Sequence, residues 1–171
     1  AAASSGQEPY TIAMILKEMD TQFLGWRNEI LGTDISEDIL ARARDGLYTQ
    51  FEVQRGLPIQ LLMKYFTQQG EKWQIADSLR KAISYQPFNL LDSMLAFGTF
   101  DVVFCRNVLI YFDEKTKADI LGRIAKQLAP DGFLFLGGAE TVIGITEAFK
   151  PLPGQRGLYV HANSPHLAAK P

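Results

Sequence analysis

Four short segments of this 171-residue chain carry groups able to hold a small polar ligand. In SSGQEP (4–9) a glycine precedes the start of a helix. Glycine lets a ligand approach the backbone closely, and a helix N-terminus offers free N–H groups. Glu8 in the same turn is equally well explained by the positive end of the helix dipole. Asp34 closes EILGTDI (29–35), where an acidic side chain can accept hydrogen bonds from both hydroxyls of a ribose. Its plainer role is an acid at a helix N-terminus. In PFNLLD (87–92), Asn89 beside Leu90 can read a purine edge and pack on its face, or simply serve a turn. In CRNVLIYFD (105–113), Arg106 and Asn107 follow an apolar run, and a second apolar stretch ends at Tyr111. Charged and amide groups directly after a buried strand need partners, which a ligand or the following structure supplies. Cys105 reads as a small buried hydrophobe and not as a nucleophile.

Elements must position these groups. Pro9 stands where a helix starts, and Ile12, Ile15, Leu16 and Met19 predict its apolar face. The 29–35 segment reads as a strand, Ser36 as the N-cap of a helix carrying Ile39, Leu40 and Ala43, and Gly46 as its stop. Residues 47–87 read as an insert: one helix with Ile59, Leu62, Met63 and Phe66 on its face, and a small antiparallel ribbon from KWQI (72–75) and AISYQP (82–87). FDVVFC (100–105) has the length of a strand covered on both faces. Asp113 caps a helix whose face is Ile120, Leu121, Ile124 and Leu128. Pro130-Asp131-Gly132 reads as a turn before the buried strand FLFLGG (133–138). FKPL (149–152) and GLYVHA (157–162) predict a closing hairpin, and 163–171 a loose tail. Strands alternating with helices imply βαβ units and a mostly parallel sheet, with ligands at the carboxyl ends of its strands.

Composition narrows the function. Hydrophobic residues make up 47% and charged residues 21%, values of a globular chain of one domain. No apolar run reaches the roughly 18 residues of a membrane span. The net charge is −2 and no basic stripe is present, which argues against nucleic acid. One cysteine permits no intrachain disulfide and fits a reducing cytoplasm. With only two histidines, both near the end, no metal site is expected.

Taken in order, SSGQEPYTIAM, ILGTDIS, FNLLD and FDVVFCRNVLIYFD resemble the chemotaxis-receptor glutamate methyltransferases, the CheR family. The resemblance runs over about residues 3–160, and LPIQLLMKYF with LRKAISYQPFNLL is similar to the family's insert. It implies an α/β, class I methyltransferase (Rossmann-like) fold over 1–162 that binds S-adenosylmethionine, with an inserted subdomain at 47–87. It implies transfer of a methyl group to glutamates on the cytoplasmic helices of a receptor. By position, Glu8 would bind the methionine end of the cofactor or the adjoining cofactor surface, Asp34 would hold the ribose hydroxyls, and Asn89 and Leu90 would contact the adenine region. Arg106 and Asn107 would lie beside the cofactor, and Tyr111 near the transferred methyl, as the catalytic residue.

Three departures accompany the resemblance. The family has a helical N-terminal domain, and a first central strand immediately before SSGQEPYT, where this chain has only alanines; both are expected to be missing. After strand 133–137 the family often has His-Ser before a glutamate, whereas here Gly138 and Ala139 precede Glu140. In some members the insert binds a peptide at the receptor's C-terminus through a glycine-bearing loop. The matching TQQGE (67–71) is short, so no dependence on that tether is expected. The cofactor motifs do not choose the acceptor: a class I methyltransferase with another acceptor, or a non-catalytic cofactor-binding module, remains open.

Overall fold

A computed structural model of the chain describes residues 1–168. Two compact units emerge, one of Ala3–Phe88 and one of Ala1–Ala2 with Asn89 onward.

The first unit opens with α1 (Gln7–Glu18), capped by Gly6, followed by β1 (Ile30–Asp34) and α2 (Glu37–Asp45). The Ser36 hydroxyl accepts the Ile39 N–H at 3.3 Å, and Gly46 ends α2 at φ +62°, as the sequence predicts. The buried face of α1 differs from the expected one. Pro9, Tyr10, Ala13 and Met14 are buried, while Ile15 is 48% exposed. Tyr10 can be buried because its hydroxyl donates to the Ala43 carbonyl at 2.7 Å, a partner on a distant helix.

The insert holds β2 (Leu47–Thr49), α3 (Gln50–Gln54), α4 (Ile59–Tyr65), β3 (Phe66–Gln69), β4 (Lys72–Ile75) and α5 (Asp77–Arg80). Its sheet has three strands in the order β2-β4-β3, all antiparallel. α3 carries a capping box, Thr49 with Glu52, and the Thr49 N–H holds the Glu52 carboxyl below the usual carboxylate range. On α4 the buried residues are Leu62 and Tyr65, not the expected Ile59 and Met63, which are exposed. Phe66 starts β3 and does not lie on the helix face.

AISYQP is not part of the ribbon. It forms β5 (Ile83–Pro87), which pairs in parallel with β1, Asp34 opposite Pro87. The connection from β1 to β5 is therefore a long crossover that contains the insert.

The second unit is a four-stranded sheet, β6-β7-β9-β8, built from β6 (Phe100–Cys105), α6 (Glu114–Gln127), β7 (Leu128–Leu136), β8 (Phe149–Pro151) and β9 (Leu158–His161). β6 and β7 are parallel, joined by α6, and β8-β9 is the closing antiparallel hairpin. α6 buries Ile120, Leu121 and Ile124, as expected. Two expectations need correction. β6 is not covered throughout, since Val102 is 42% exposed while Cys105 is fully buried. Pro130-Asp131-Gly132 is not a separate turn but an irregularity inside β7, where the pairing jumps from Phe100↔Leu128 to Val102↔Phe133.

Within the expected tail, residues 163–168 make specific contacts. Ser164 caps a short 3₁₀ turn, and the His166 ring stacks on Phe133 at 4.7 Å with Nε2 at 2.9 Å from the Asp131 carbonyl. The rest of the expected tail, 169–171, lies outside the described residues.

Asp113 caps α6 by accepting the Thr116 N–H at 2.8 Å, and that bond holds its carboxyl below the usual range. A depressed folded-state value means the stabilisation is complete above the unfolded value, about 3.9, and is lost as pH falls through the lower folded value. Asp113→Ala is thus expected to lower Tm at neutral pH, with the gap closing below about pH 4. Melting curves showing one constant gap across that range would contradict the assignment.

Candidate functional site

In the first unit, β1 delivers Asp34 to its carboxyl end. The preceding residue is fixed, since the Thr33 carbonyl accepts the Ala3 N–H at 2.8 Å. The Asp34 carboxylate is gripped on both oxygens: Ser4 N–H donates to Oδ2 at 2.9 Å and Ser36 N–H to Oδ1 at 3.1 Å. A carboxylate has about four lone-pair sites. Two are thus used to orient it, and the remainder can accept from a ligand.

The turn that supplies Ser4 is tightly bent. Ser4 has φ +50° and Gly6 φ +90°, and the Gly6 N–H donates to the Ala3 carbonyl at 3.0 Å. A Cβ at Gly6 would stand 2.7 Å from the Tyr85 hydroxyl and 3.0 Å from the Ala43 Cβ. Three tyrosines support this turn from within. Tyr48 donates to the Ser5 carbonyl at 2.7 Å, Tyr10 to Ala43, and the Tyr85 ring lies against Gly32. Burial pushes all three phenols above their ordinary range, so they serve as scaffold and not as acids. Glu8 occupies the first turn of α1 and is half-buried.

In the second unit, Asn89 behaves as a turn residue: its Oδ1 accepts the Leu91 N–H at 3.0 Å. Leu90 is buried, and its carbonyl accepts from the Arg123 guanidinium at 2.8 Å. β6 ends at the buried Cys105, and Arg106 and Asn107 after it are exposed. Asn107 adopts φ +59°, and a single 3₁₀ turn, Leu109–Tyr111, carries Tyr111 out to 79% exposure.

One residue was not legible in the sequence as part of this loop. Glu140, 8% exposed, accepts four backbone N–H groups: Asn107 at 2.8 Å, Val108 at 2.9 Å, Leu109 at 2.7 Å and Gly137 at 2.7 Å. The signal available was a carboxylate placed just after a buried strand, where it must find partners.

Among the described residues no three His, Cys, Asp or Glu side chains cluster to hold a metal ion, and no helix is long and apolar enough to cross a membrane.

Parallel strand pairs joined by helices, with acidic and amide side chains at their carboxyl ends, define an α/β ligand-binding domain of Rossmann-like type. The profile of the CheR methyltransferase SAM-binding domain matches residues 1–158, and the chain belongs to that family. It is 40% identical over 166 residues to the chemotaxis protein methyltransferase Cher2 of Pseudomonas putida, covering 95% of this chain and 60% of that protein. It is 39% identical over 166 residues to chemotaxis protein methyltransferase 1 of Pseudomonas aeruginosa, covering 95% and 61%. The Escherichia coli chemotaxis protein methyltransferase is 37% identical over 155 residues, covering 87% and 53%. The chain thus spans just over half the length of these relatives. Among solved structures, magnesium protoporphyrin IX methyltransferase from Synechocystis with bound SAH is similar at 18% identity and a TM-score of 0.45, over 80% of this chain and 43% of that one.

Proposed function

We propose that this chain is the S-adenosylmethionine-binding domain of a protein-glutamate O-methyltransferase acting in the cytoplasm on the signalling helices of chemotaxis receptors. Family membership supports the cofactor class. The observation that carries the reading is Asp34: a carboxylate at a strand end, pre-oriented by two backbone N–H groups, beside a turn whose glycine leaves no room for a side chain. Such a group fits the two hydroxyls of a ribose. The other positions keep the roles that the resemblance implies. Glu8 serves the methionine end, Asn89 and Leu90 the adenine, Arg106 and Asn107 the flank of the cofactor, and Tyr111 the reacting centre.

When bound, the cofactor supplies a methyl group on a sulfonium that leaves as a neutral thioether. The accepting glutamate, with an ordinary pKa of about 4.3, is already a carboxylate at neutral pH, so no general base is needed. What remains for the protein is alignment and the exclusion of water, worth up to about 7–11 kcal/mol when the groups are held in line. Tyr111 suits the first task, since its exposed ring and hydroxyl can orient the incoming carboxylate. The short β3–β4 hairpin, turning at Gly70, favours direct recognition of receptor helices over a receptor-tail tether.

The test is a transfer assay with methyl-labelled cofactor and a receptor cytoplasmic fragment, prepared with and without its C-terminal tail. Equal labelling of both fragments, abolished when the fragment's glutamates are changed to alanine, is expected. Labelling of small molecules alone would point to another acceptor, and cofactor binding without any transfer would make the chain a binding module.

A further inference from the structure

We infer that Glu140 is a positioning residue for methyl transfer: its buried carboxylate sets the conformation of the Asn107–Tyr111 loop. This rests on the proposed function, which places Asn107 beside the cofactor and Tyr111 at the reacting centre. The geometry lies within one unit. Oε1 accepts Val108 and Leu109, and Oε2 accepts Asn107 and Gly137. Three successive backbone N–H groups converging on one point form a concave anion nest. Here the chain fills that nest with its own carboxylate. The nest is therefore not the place where the acceptor glutamate of a receptor binds.

The carboxylate is itself held. Its backbone N–H donates to the Gly137 carbonyl at 2.9 Å, and its carbonyl accepts the Tyr159 hydroxyl at 3.4 Å. A Cβ at Gly137 would stand 2.7 Å from Glu140 Oε2 and 3.0 Å from the Asn107 nitrogen, so the strand end and the loop meet without spare volume. Asn107 adopts φ +59°, a left-handed conformation that asparagine tolerates better than other non-glycine residues and that a local hydrogen bond can fix. Glu140 supplies such a bond to its N–H. By contrast, a Cβ at Gly138 meets nothing within 4 Å. Gly138 is therefore not part of the packing that holds the carboxylate.

Glutamine at 140 has nearly the same shape but only one oxygen. Its amide nitrogen would face the two N–H donors that one carboxylate oxygen now accepts, so two of the four bonds are lost and the charge disappears from all. In 15N-labelled Glu140→Gln protein the amide resonances of Asn107, Val108, Leu109 and Gly137 are expected to move, with the fold retained by circular dichroism. Turnover is expected to fall at least about tenfold while KM for the receptor fragment stays within about threefold. S-adenosylhomocysteine affinity, measured by titration, should weaken by about threefold or more. Glu140→Asp keeps the charge and should recover part of the turnover, and Gly138→Ala should match the unsubstituted protein.

Amide shifts with unchanged turnover and affinity would overturn the positioning role, as would aspartate no better than glutamine. If the unsubstituted protein bound no S-adenosylhomocysteine, the proposed function would fall and this role with it. Binding by the unsubstituted protein that is indistinguishable in Glu140→Gln overturns the positioning role alone.

Discussion

In the full-length protein, Asp34→Ala is expected to weaken S-adenosylhomocysteine binding by about 5- to 150-fold, the loss of about 1–3 kcal/mol that follows when a ligand's hydroxyls lose a charged acceptor. The substitution should cost little stability. The two N–H groups that now orient the carboxylate, those of Ser4 and Ser36, sit in exposed bonds, and water can replace the carboxylate as their acceptor. Affinity and stability should therefore separate: titration shows the loss, and the melting temperature hardly moves. Unchanged affinity would remove Asp34 from the site.

Gly6→Ala should do the reverse of that separation and damage both. At φ +90° an L side chain is strained by about 1–2 kcal/mol. The new Cβ would also press on the Tyr85 hydroxyl at 2.7 Å and the Ala43 Cβ at 3.0 Å. Neither neighbour can retreat easily, since the Tyr85 ring already lies against Gly32 and Ala43 is fully buried in α2. Together these effects are expected to cost about 2–4 kcal/mol, read as a drop in Tm, and to displace the turn that carries Ser4. Gly56 supplies the control. Its φ is +95°, yet a Cβ there meets nothing within 4 Å. Gly56→Ala therefore measures the backbone strain without the crowding, and a Gly6→Ala loss no larger than that of Gly56→Ala would refute the close packing of this turn.

What the sequence made legible was local. Ser36, Gly46 and Asp113 cap helices through bonds to residues three or four positions away, and the motif already contains both partners. The chain also displays Asp34 and Tyr111 at the ends of recognisable runs, and the resemblance carried by those runs led to the right family. Non-local pairing was not legible. AISYQP has the composition of a ribbon strand, but its partner is β1, some fifty residues earlier, and nothing within the segment signals a parallel neighbour. On α1 the periodicity of large aliphatic residues pointed to Ile12 and Ile15. The helix instead buries Tyr10, Ala13 and Met14, a choice made by the carbonyl of Ala43 waiting for a phenol. On α4, Ile59 and Met63 satisfy a helical period and still face solvent. Pro130-Asp131-Gly132 has the chemistry of a turn, yet the flanking residues pair with the same strand, so it survives as an irregularity within β7. Glu140 belongs to the same class. Its partners at 107–109 lie more than thirty residues away in the chain, and only the fold brings their N–H groups to one point.

Transfer to a carboxylate forms an ester, and the lability of that bond reports on the acceptor directly. A methyl ester of glutamate is cleaved by mild alkali, whereas a methylated amine is not. Receptor fragment labelled by this protein should release its methyl label as volatile methanol on alkaline treatment. Label that stays on the protein through the same treatment would contradict the account.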